Sequence, residues 1–135
     1  MNDNFAPWIL ALQPVVTAID DTGATLRIPM TPDIMRTGNI VSGQTLATLA
    51  DTAMVIGCGD AAGEMIPVGT VTLDMQFLRP ATRDAIDAKA EITRLGRGMA
   101  FARCTLTALP SGKPVALATA TFARQRRDSS AELRI

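Results

Sequence analysis

The chain has 135 residues, of which 47% are hydrophobic and 19% are charged. This length and composition are typical of one folded domain, here residues 1–135, and exclude a disordered chain or a coiled coil. Thirteen basic residues balance thirteen acidic ones, which argues against a protein that binds nucleic acid through net positive charge. There is no histidine, so Ser-His-Asp triads, Cys-His pairs and histidine-ligated metal sites are excluded.

The cysteines and the N-terminal segment indicate the cellular compartment. Cys58 and Cys104 lie far apart and form no CxxC pair, so we expect no zinc motif, no redox motif and no bound metal. The first residues lack the basic charge of a secretory signal. The longest apolar region, residues 43–63, is interrupted by Asp51 and Asp60 and does not predict a membrane span. We therefore expect a cytoplasmic protein that does not associate with membranes.

Charge is divided unevenly along the chain. Residues 1–66 carry seven acidic and two basic residues, whereas residues 67–135 carry six acidic and eleven basic ones. Such an excess of positive charge is typical either of an anion site or of a solvated surface, and both interpretations stay open.

The N-terminal part predicts a short helix followed by two strands. Apolar residues at positions 5, 8, 9 and 12 have helical spacing, and Pro14 ends this helix. Residues 15–20 and 24–30 have the pattern of strands, joined by a turn at residues 21–23. Residues 31–41 are predicted to form a loop.

The longest predicted helix runs from Ser42 to Gly63, with Ser42 as its N-cap. An apolar stripe at helical spacing is formed by Leu46, Leu49, Ala50 and Ala53. The opposite side is also largely apolar, which is typical of a buried helix.

After Pro67 the hydrophobic pattern changes to a period of two, which is typical of strands. Four strands are predicted, within residues 71–77, 86–93, 101–108 and 115–124. The alternation favours antiparallel pairing with one covered face. One helix cannot cover both faces of about six strands. We therefore expect an α+β fold in which a curved sheet wraps the helix and leaves surface for a partner subunit.

Asp51 is the only charged residue between positions 42 and 59, in the middle of the predicted buried helix. Ala47, four residues before it, and Met54 and Val55, three and four residues after it, are apolar. Desolvation of a carboxylate is costly unless hydrogen bonds or a pocket compensate for it, and burial raises its pKa. These properties suit a general base or a nucleophile. The alternative is a structural aspartate that bonds a backbone group or pairs with a buried arginine.

A glycine-bearing loop, residues 38–43, enters the same helix. Unpaired N–H groups at a helix start can polarise a carbonyl, and Gly43 has no side chain to block its approach. The alternative is a tight turn into the helix. Gly43 and Asp51 lie eight residues apart, which is about 12 Å along the helix axis and too far for both to act on one carbonyl. If the pair is catalytic, we expect Gly43 of one chain to face Asp51 of a second chain in a two-fold dimer.

Three segments resemble hotdog-fold thioesterases of the phenylacetate-degradation (PaaI-like) group. They are residues 41–54, 69–81 and 92–108, followed by the closing strand after residues 111–118, so that the resemblance extends from about position 15 to position 124. The first segment is the most specific. The family commonly has His-Gly-Gly with an acidic residue nine positions after the histidine, and here Ser42-Gly43-Gln44 precedes Asp51 at that spacing.

The resemblance implies a long central helix wrapped by a curved antiparallel sheet. It also implies a homodimer or a dimer-of-dimers homotetramer with the active site at the subunit interface. The implied reaction is hydrolysis of acyl-CoA thioesters, with coenzyme A present only as part of the substrate and no separate cofactor.

The resemblance also implies roles for individual residues. Asp51 matches the acidic general base or nucleophile, and Gly43 matches the glycine whose N–H polarises the thioester carbonyl from the opposite subunit. Thr70, or alternatively Thr72, matches a Ser or Thr that orients the attacking water. Ser42 and Gln44 adjoin Gly43 and are candidate substrate-binding residues. Segments that contact coenzyme A in relatives match Arg79, Gly96, Arg97 and Gly98.

The sequence departs from the family pattern at three positions. Ser42 replaces the histidine, Gln44 replaces the second glycine, and Arg36 replaces a polar residue, commonly Asn, six positions before the histidine. Backbone polarisation by Gly43 needs only its N–H. The simple alternatives are an N-cap at Ser42, a narrowed pocket at Gln44 and a solvated charge at Arg36, and residues 95–98 also have the pattern of a hairpin turn.

Three function classes follow from these observations. The first is an acyl-CoA thioesterase for a small or medium acyl or aryl group, with an apolar tail suggested by Met54, Ile66 and Phe77. The second, motivated by the missing histidine, is a non-catalytic protein that binds acyl-CoA or an aromatic ligand. The third is a structural or regulatory subunit, in which Asp51 would be bonded internally without an adjoining pocket.

Overall fold

The structure is a computed structural model that describes residues 5–62, 68–82 and 85–124. Within these ranges the helices are α1 (Pro7–Leu10) and α2 (Gly43–Ala61), with a 3₁₀ turn at Pro32–Ile34. The strands are β1 (Val15–Asp20), β2 (Gly23–Pro29), β3 (Met35–Arg36), β4 (Ile40–Val41), β5 (Val68–Phe77), β6 (Ala85–Leu95), β7 (Met99–Leu109) and β8 (Lys113–Arg124).

Six of these strands form one antiparallel sheet in the order β1-β2-β6-β7-β8-β5. The prediction of one long helix, a short N-terminal helix and about six antiparallel strands is confirmed. The segment predicted as a loop at residues 31–41 also contains β3 and β4, which pair as a separate two-stranded ribbon. Strands of two residues are too short to produce a hydrophobic period, so the sequence pattern did not reveal them.

Helix α2 begins where the sequence predicts. The Ser42 Oγ accepts a hydrogen bond from the Thr45 N–H at 3.2 Å and lies 2.8 Å from Thr45 Oγ1, which confirms Ser42 as the N-cap. The predicted apolar stripe is buried, since Leu46, Leu49 and Ala50 are each at most 4% exposed. Among the described residues, no helix has both the length and the apolar character needed to cross a membrane.

Small side chains form most of the inner face of β6, β7 and β8. The buried alanines of β6, β7 and β8 are Ala88, Ala90, Ala100, Ala102, Ala108, Ala116, Ala118 and Ala120. Their short side chains let α2 lie close to the sheet. Leu26, Leu49 and Phe122, each at most 1% exposed, fill the remaining space.

Glycines permit the close approach of α2 to β2. A Cβ added to Gly57 would lie 3.4 Å from the Gly23 Cα and 3.4 Å from Ile92 Cδ1. A Cβ added to Gly23 would lie 1.9 Å from the Ala90 carbonyl oxygen, a distance that no side chain tolerates. Gly57 therefore lets α2 approach the start of β2, and the pairing of β2 with β6 depends on glycine at position 23.

Helix α2 packs chiefly on β2, β6 and β7 and leaves both edges of the sheet largely uncovered. At the β1 edge Ile19 is 49% exposed, and at the β5 edge Leu73 is 36% and Phe77 56% exposed. Leu73 and Phe77 lie opposite Ala120 and Ala116 of β8, so they belong to the inner face. Within the described chain, β5 thus combines an exposed apolar inner face with an unpaired backbone edge.

Extra volume beneath the helix should destabilise the protein. Ala118 is 3% exposed, and we expect Ala118→Leu to lower the free energy of unfolding by about 1–3 kcal/mol because the close-packed inner face cannot accept a larger side chain. Ala123→Leu, at an exposed position of the same strand, should stay within about 0.5 kcal/mol of wild type. Urea denaturation at one protein concentration measures both values. Equal stability of the two variants would contradict close helix–sheet packing.

Candidate functional site

Asp51 lies on α2 with a half-buried side chain. Its Oδ1 accepts a hydrogen bond from Thr70 Oγ1 at 2.9 Å. Among the described residues, no arginine or lysine forms an ion pair with it, and no backbone N–H donates to it. Burial raises the pKa of Asp51 above its ordinary value, and the Thr70 hydrogen bond offsets part of that rise. The carboxylate is therefore held in place by a neutral hydroxyl rather than neutralised by a cation.

A β-bulge in β5 turns Thr70 toward α2. Thr70 lies opposite Phe122 of β8, the register shifts at Val71, and Thr72 lies opposite Thr121. Because opposite residues share a face, Thr70 lies on the inner face with the buried Phe122, and Thr72 lies on the outer face. In a strand without a bulge the two threonines would share one face. The bulge therefore separates the two candidates, and Thr70 is the one that reaches the carboxylate.

The first turn of α2 begins with the N–H groups of Gly43 and Gln44. The Ser42 cap serves the N–H of Thr45, and no acceptor among the described residues meets the N–H of Gly43 or Gln44. The positive end of the helix dipole reinforces these donors. The Phe77 ring lies over the glycine, since a Cβ added to Gly43 would be 3.3 Å from Phe77 Cζ. The chemistry of this turn is thus that of a backbone donor pair suited to a carbonyl oxygen.

A cavity of about 270 Å³ adjoins Gly43, between the start of α2, the β3–β4 ribbon and the segment after β5. Phe77 lines it, as expected for a residue of an apolar pocket, and Arg36 lines it as well. Met54, by contrast, is fully buried in the core, and Ile66 lies outside the described residues. Of the three apolar residues suggested by the sequence, Phe77 alone is placed at this cavity.

Arg79 lies at the same end of the sheet as Gly43. Its Nη1 donates a hydrogen bond to the Pro114 carbonyl oxygen at 2.6 Å. It lines the cavity beside Gly43 and also a neighbouring cavity of about 460 Å³ that includes Lys113. This end of the molecule therefore combines positive charge with the helix N-terminus.

The segment Gly96–Gly98 forms the turn between β6 and β7, at the opposite end of the sheet from these cavities. The Gly98 carbonyl oxygen accepts a hydrogen bond from the Arg124 N–H at 2.9 Å. Arg124 is in turn the register partner of Val68 at the start of β5. The turn, with the exposed Arg97 at its centre, therefore lies at the same end of the sheet as Thr70, with β8 between the turn and β5.

The predicted site residues thus fall into two clusters within one chain. The Gly43 cluster consists of Ser42, Gly43, Gln44 and Arg79. The Asp51 cluster consists of Asp51 and Thr70, and the turn with Gly96, Arg97 and Gly98 lies at the same end of the sheet, separated from β5 by β8. Phe77 contacts the Gly43 cluster at one end of β5, and Thr70 belongs to the Asp51 cluster at the other end. Sequence reasoning missed both the contact of Phe77 with Gly43 and the bulge at Val71, because no sequence pattern marks either one.

Comparison with known families identifies the chain. The thioesterase superfamily matches residues 38–115, which is more than half of the chain and includes both Gly43 and Asp51. The chain belongs to the thioesterase superfamily. No protein of curated function matches its sequence significantly.

Solved structures share the fold of this thioesterase-superfamily chain. A mutant of the phenylacetic acid degradation protein PaaI from Thermus thermophilus is 26% identical with a TM-score of 0.77, and the match covers 89% of this chain and 100% of that one. PaaI from E. coli is 21% identical with a TM-score of 0.83, covering 93% and 88%. A thioesterase from Haemophilus influenzae is 17% identical with a TM-score of 0.81, covering 88% and 82%. The fold is the hotdog fold, and the resemblance to the PaaI-like group is confirmed.

Replacing the Asp51 carboxylate by an amide should stabilise this thioesterase-superfamily chain at neutral pH. Because burial raises the pKa of Asp51, the charged form costs stability at every pH above the folded-state pKa. We expect Asp51→Asn to raise Tm by a few degrees at pH 7. The gain should shrink as the pH falls through the folded-state pKa and vanish below the ordinary value of 3.8.

Thermal unfolding followed by circular dichroism at pH 7 and at pH 4 measures this difference. Asp74→Asn, at an exposed position of β5, is the matched control and should leave Tm nearly unchanged. A lower Tm for Asp51→Asn at pH 7 would show that the charged carboxylate is a net source of stability.

Proposed function

We propose that the protein is an acyl-CoA thioesterase that hydrolyses the thioester of a small or medium acyl or aryl group. The observation that carries this proposal is the half-buried Asp51 carboxylate, which is bonded to the Thr70 hydroxyl and to no cation among the described residues. A carboxylate with a raised pKa suits a general base or a nucleophile. Membership of the thioesterase superfamily supports the reaction class.

We further propose that the protein works as a homodimer joined through β5. The backbone of this strand is paired on one side only, with β8, within the described chain. Leu73 and Phe77 are exposed on its inner face. Antiparallel pairing of β5 with the same strand of a second chain would bury this apolar surface and satisfy the free backbone groups.

Two-fold symmetry in this dimer would bring the two groups of site residues together. It brings the Phe77 end of β5 in one chain toward the Thr70 end in the other. The Gly43 cluster of each chain then meets the Asp51 cluster of its partner, which gives two shared sites per dimer. A dimer of dimers would keep the same sites.

Each group in the shared site has a distinct role. The N–H groups of Gly43 and Gln44 polarise the thioester carbonyl and stabilise the oxyanion that forms on it. Asp51 either takes a proton from the attacking water or attacks the carbonyl carbon itself, and Thr70 orients the carboxylate and the water. In the first case Asp51 passes the proton to the coenzyme A sulfur as the carbon–sulfur bond breaks. In the second case this bond cleavage leaves a mixed anhydride on Asp51 and a coenzyme A thiolate, which takes a proton from solvent. Water then hydrolyses the anhydride to the free acid and the Asp51 carboxylate. These steps use no metal and no separate cofactor.

Positive charge borders the proposed site on both sides. Arg97 lies on the β6–β7 turn at the same end of the sheet as the Asp51 cluster, and Arg79 lies in the Gly43 cluster. Both side chains are exposed, and guanidinium groups are well suited to phosphate oxygens. We propose that Arg97, with the flanking Gly96 and Gly98, approaches coenzyme A, and that Arg79 contacts the substrate from the opposite chain.

A second candidate is a hotdog protein that binds acyl-CoA or an aromatic ligand without turnover. It is favoured by Ser42, which stands where the family commonly has a histidine. The Ser42 Oγ is engaged with Thr45 as a helix cap, and a serine hydroxyl lacks the imidazole of that histidine.

Asp51→Asn should lower kcat/KM for the best substrate of an acyl-CoA panel by roughly 10²–10⁴-fold, because an amide neither accepts the proton nor attacks the carbonyl. Release of coenzyme A is followed with a thiol reagent. Asp74→Asn, an exposed change on β5, should retain wild-type kcat/KM. Wild-type activity of Asp51→Asn would remove Asp51 from the mechanism, and tight acyl-CoA binding by the wild type without turnover would support the second candidate.

The shared site is tested by mixing two inactive variants. Gly43→Pro removes the N–H, and proline is compatible with the first helical position. Gly43→Ala keeps the N–H and adds a Cβ in the same place beside the Phe77 ring. We therefore expect loss of activity in Gly43→Pro and retention in Gly43→Ala.

Exchange of subunits between Asp51→Ala and Gly43→Pro proteins should then restore one working site per mixed dimer. After equal mixing and random exchange about half of the dimers are mixed, and each has one working site of two. The expected activity is therefore roughly one quarter of the wild-type rate. Subunit exchange is confirmed separately by native mass spectrometry. Confirmed exchange without recovery would place both halves of the site within one chain.

A further inference from the structure

The cavity beside Gly43 has no role in the proposed hydrolysis steps. It has a volume of about 270 Å³. Ile40, Val41, Leu46 and Phe77 give it apolar walls. A space of this size accommodates a short acyl chain and is below the usual range for larger ligands such as nucleotides.

Two arginines give the same cavity a positive charge. Arg36 and Arg79 line it, and no acidic residue does so among the described residues. Neither guanidinium forms an ion pair with a carboxylate in the described part of the chain. Arg79 donates one hydrogen bond, to the Pro114 carbonyl oxygen, which leaves other N–H donors for a ligand. A pair of guanidinium groups of this kind is suited to a carboxylate.

The location of the cavity indicates which part of the substrate enters it. In the proposed function the Gly43 N–H polarises the thioester carbonyl, and Gly43 forms part of the cavity wall. The acyl carbons next to that carbonyl are therefore adjacent to the cavity. Apolar walls beside the carbonyl, together with two positive charges, match a short alkyl chain that ends in an anion.

We propose that this cavity binds the acyl group of an ω-carboxyacyl-CoA, with Arg36 and Arg79 on the terminal carboxylate. The inference rests on the proposed function and names its substrate class. A phosphate of coenzyme A also has anionic oxygens that a guanidinium can bind, as the acyl carboxylate does. The experiment therefore has to distinguish a carboxylate on the acyl group from a phosphate on the carrier.

Glutaryl-CoA and valeryl-CoA form the matched substrate pair, because their acyl chains have equal length and differ in a terminal carboxylate against a methyl group. We expect wild-type kcat/KM to be roughly ten- to a hundredfold higher for glutaryl-CoA, since the hydrogen bonds to its carboxylate are charge-assisted. Arg36→Gln should bring this ratio toward one. Arg103→Gln, at an exposed position of β7, is the control and should keep the wild-type ratio. A wild-type ratio of one or less overturns the proposal.

The two sources of the anion give different results with Arg36→Gln. A loss confined to glutaryl-CoA supports the acyl carboxylate. An equal loss for glutaryl-CoA and valeryl-CoA shows that Arg36 binds the carrier and overturns the proposal. The same pair on dephospho-CoA then shows whether the 3′-phosphate is the group that Arg36 contacts.

Binding of free glutarate is a readout that does not depend on hydrolysis. Isothermal titration calorimetry compares glutarate with valerate on the wild type and on Arg36→Gln. Glutarate binding that depends on Arg36, without hydrolysis of either thioester, supports the carboxylate site while the proposed function fails. Hydrolysis of valeryl-CoA without a preference for glutaryl-CoA and without glutarate binding overturns the carboxylate site alone.

Discussion

The hydrogen bond from Thr70 to Asp51 joins the buried helix to the edge strand, and the rest of the candidate site depends on it. A half-buried carboxylate needs a partner, and the nature of that partner decides what the carboxylate can do. A buried arginine would depress the pKa and occupy the space beside the carboxylate. A single neutral hydroxyl orients Oδ1 and, among the described residues, leaves Oδ2 without a donor. Because no cation offsets the desolvation of the carboxylate, the pKa of Asp51 stays above its ordinary value.

Strand β5 connects this carboxylate with the other half of the proposed chemistry. Its bulge directs Thr70 to the helix, and its last residue, Phe77, lies over Gly43 at the helix start. The same strand forms one edge of the sheet and has an exposed apolar face. If two chains pair along this edge, assembly and site formation are one event, because Gly43 and Asp51, the residues proposed to act on the carbonyl, lie near opposite ends of the strand.

The departures from the family pattern change side chains and leave the backbone chemistry intact. Ser42 caps the helix through Thr45, and the N–H of Gly43 stays free of partners in the described chain. Arg36 lines the cavity at the helix start.

The excess of positive charge in the second half of the chain has two origins. Some of the positive charge lies at the Gly43 cluster and at the β6–β7 turn, and some lies on the surface in exposed ion pairs such as the one between Arg103 and Glu91.

Local patterns in the sequence were sufficient to predict the helices and the long strands. They also identified Asp51 as a lone charge within an apolar helix. Hydrophobic period, a capping serine and a lone charge within an apolar helix are read from neighbouring residues, and helix α2 begins where they place it. The position of Thr70 depends on tertiary pairing, because a one-residue register shift against β8 reverses the face of every residue before it. Alternation alone puts Thr70 with Thr72 on the outer face. The contact of Phe77 with Gly43 likewise arises from the packing of strand against helix, between residues far apart in the chain.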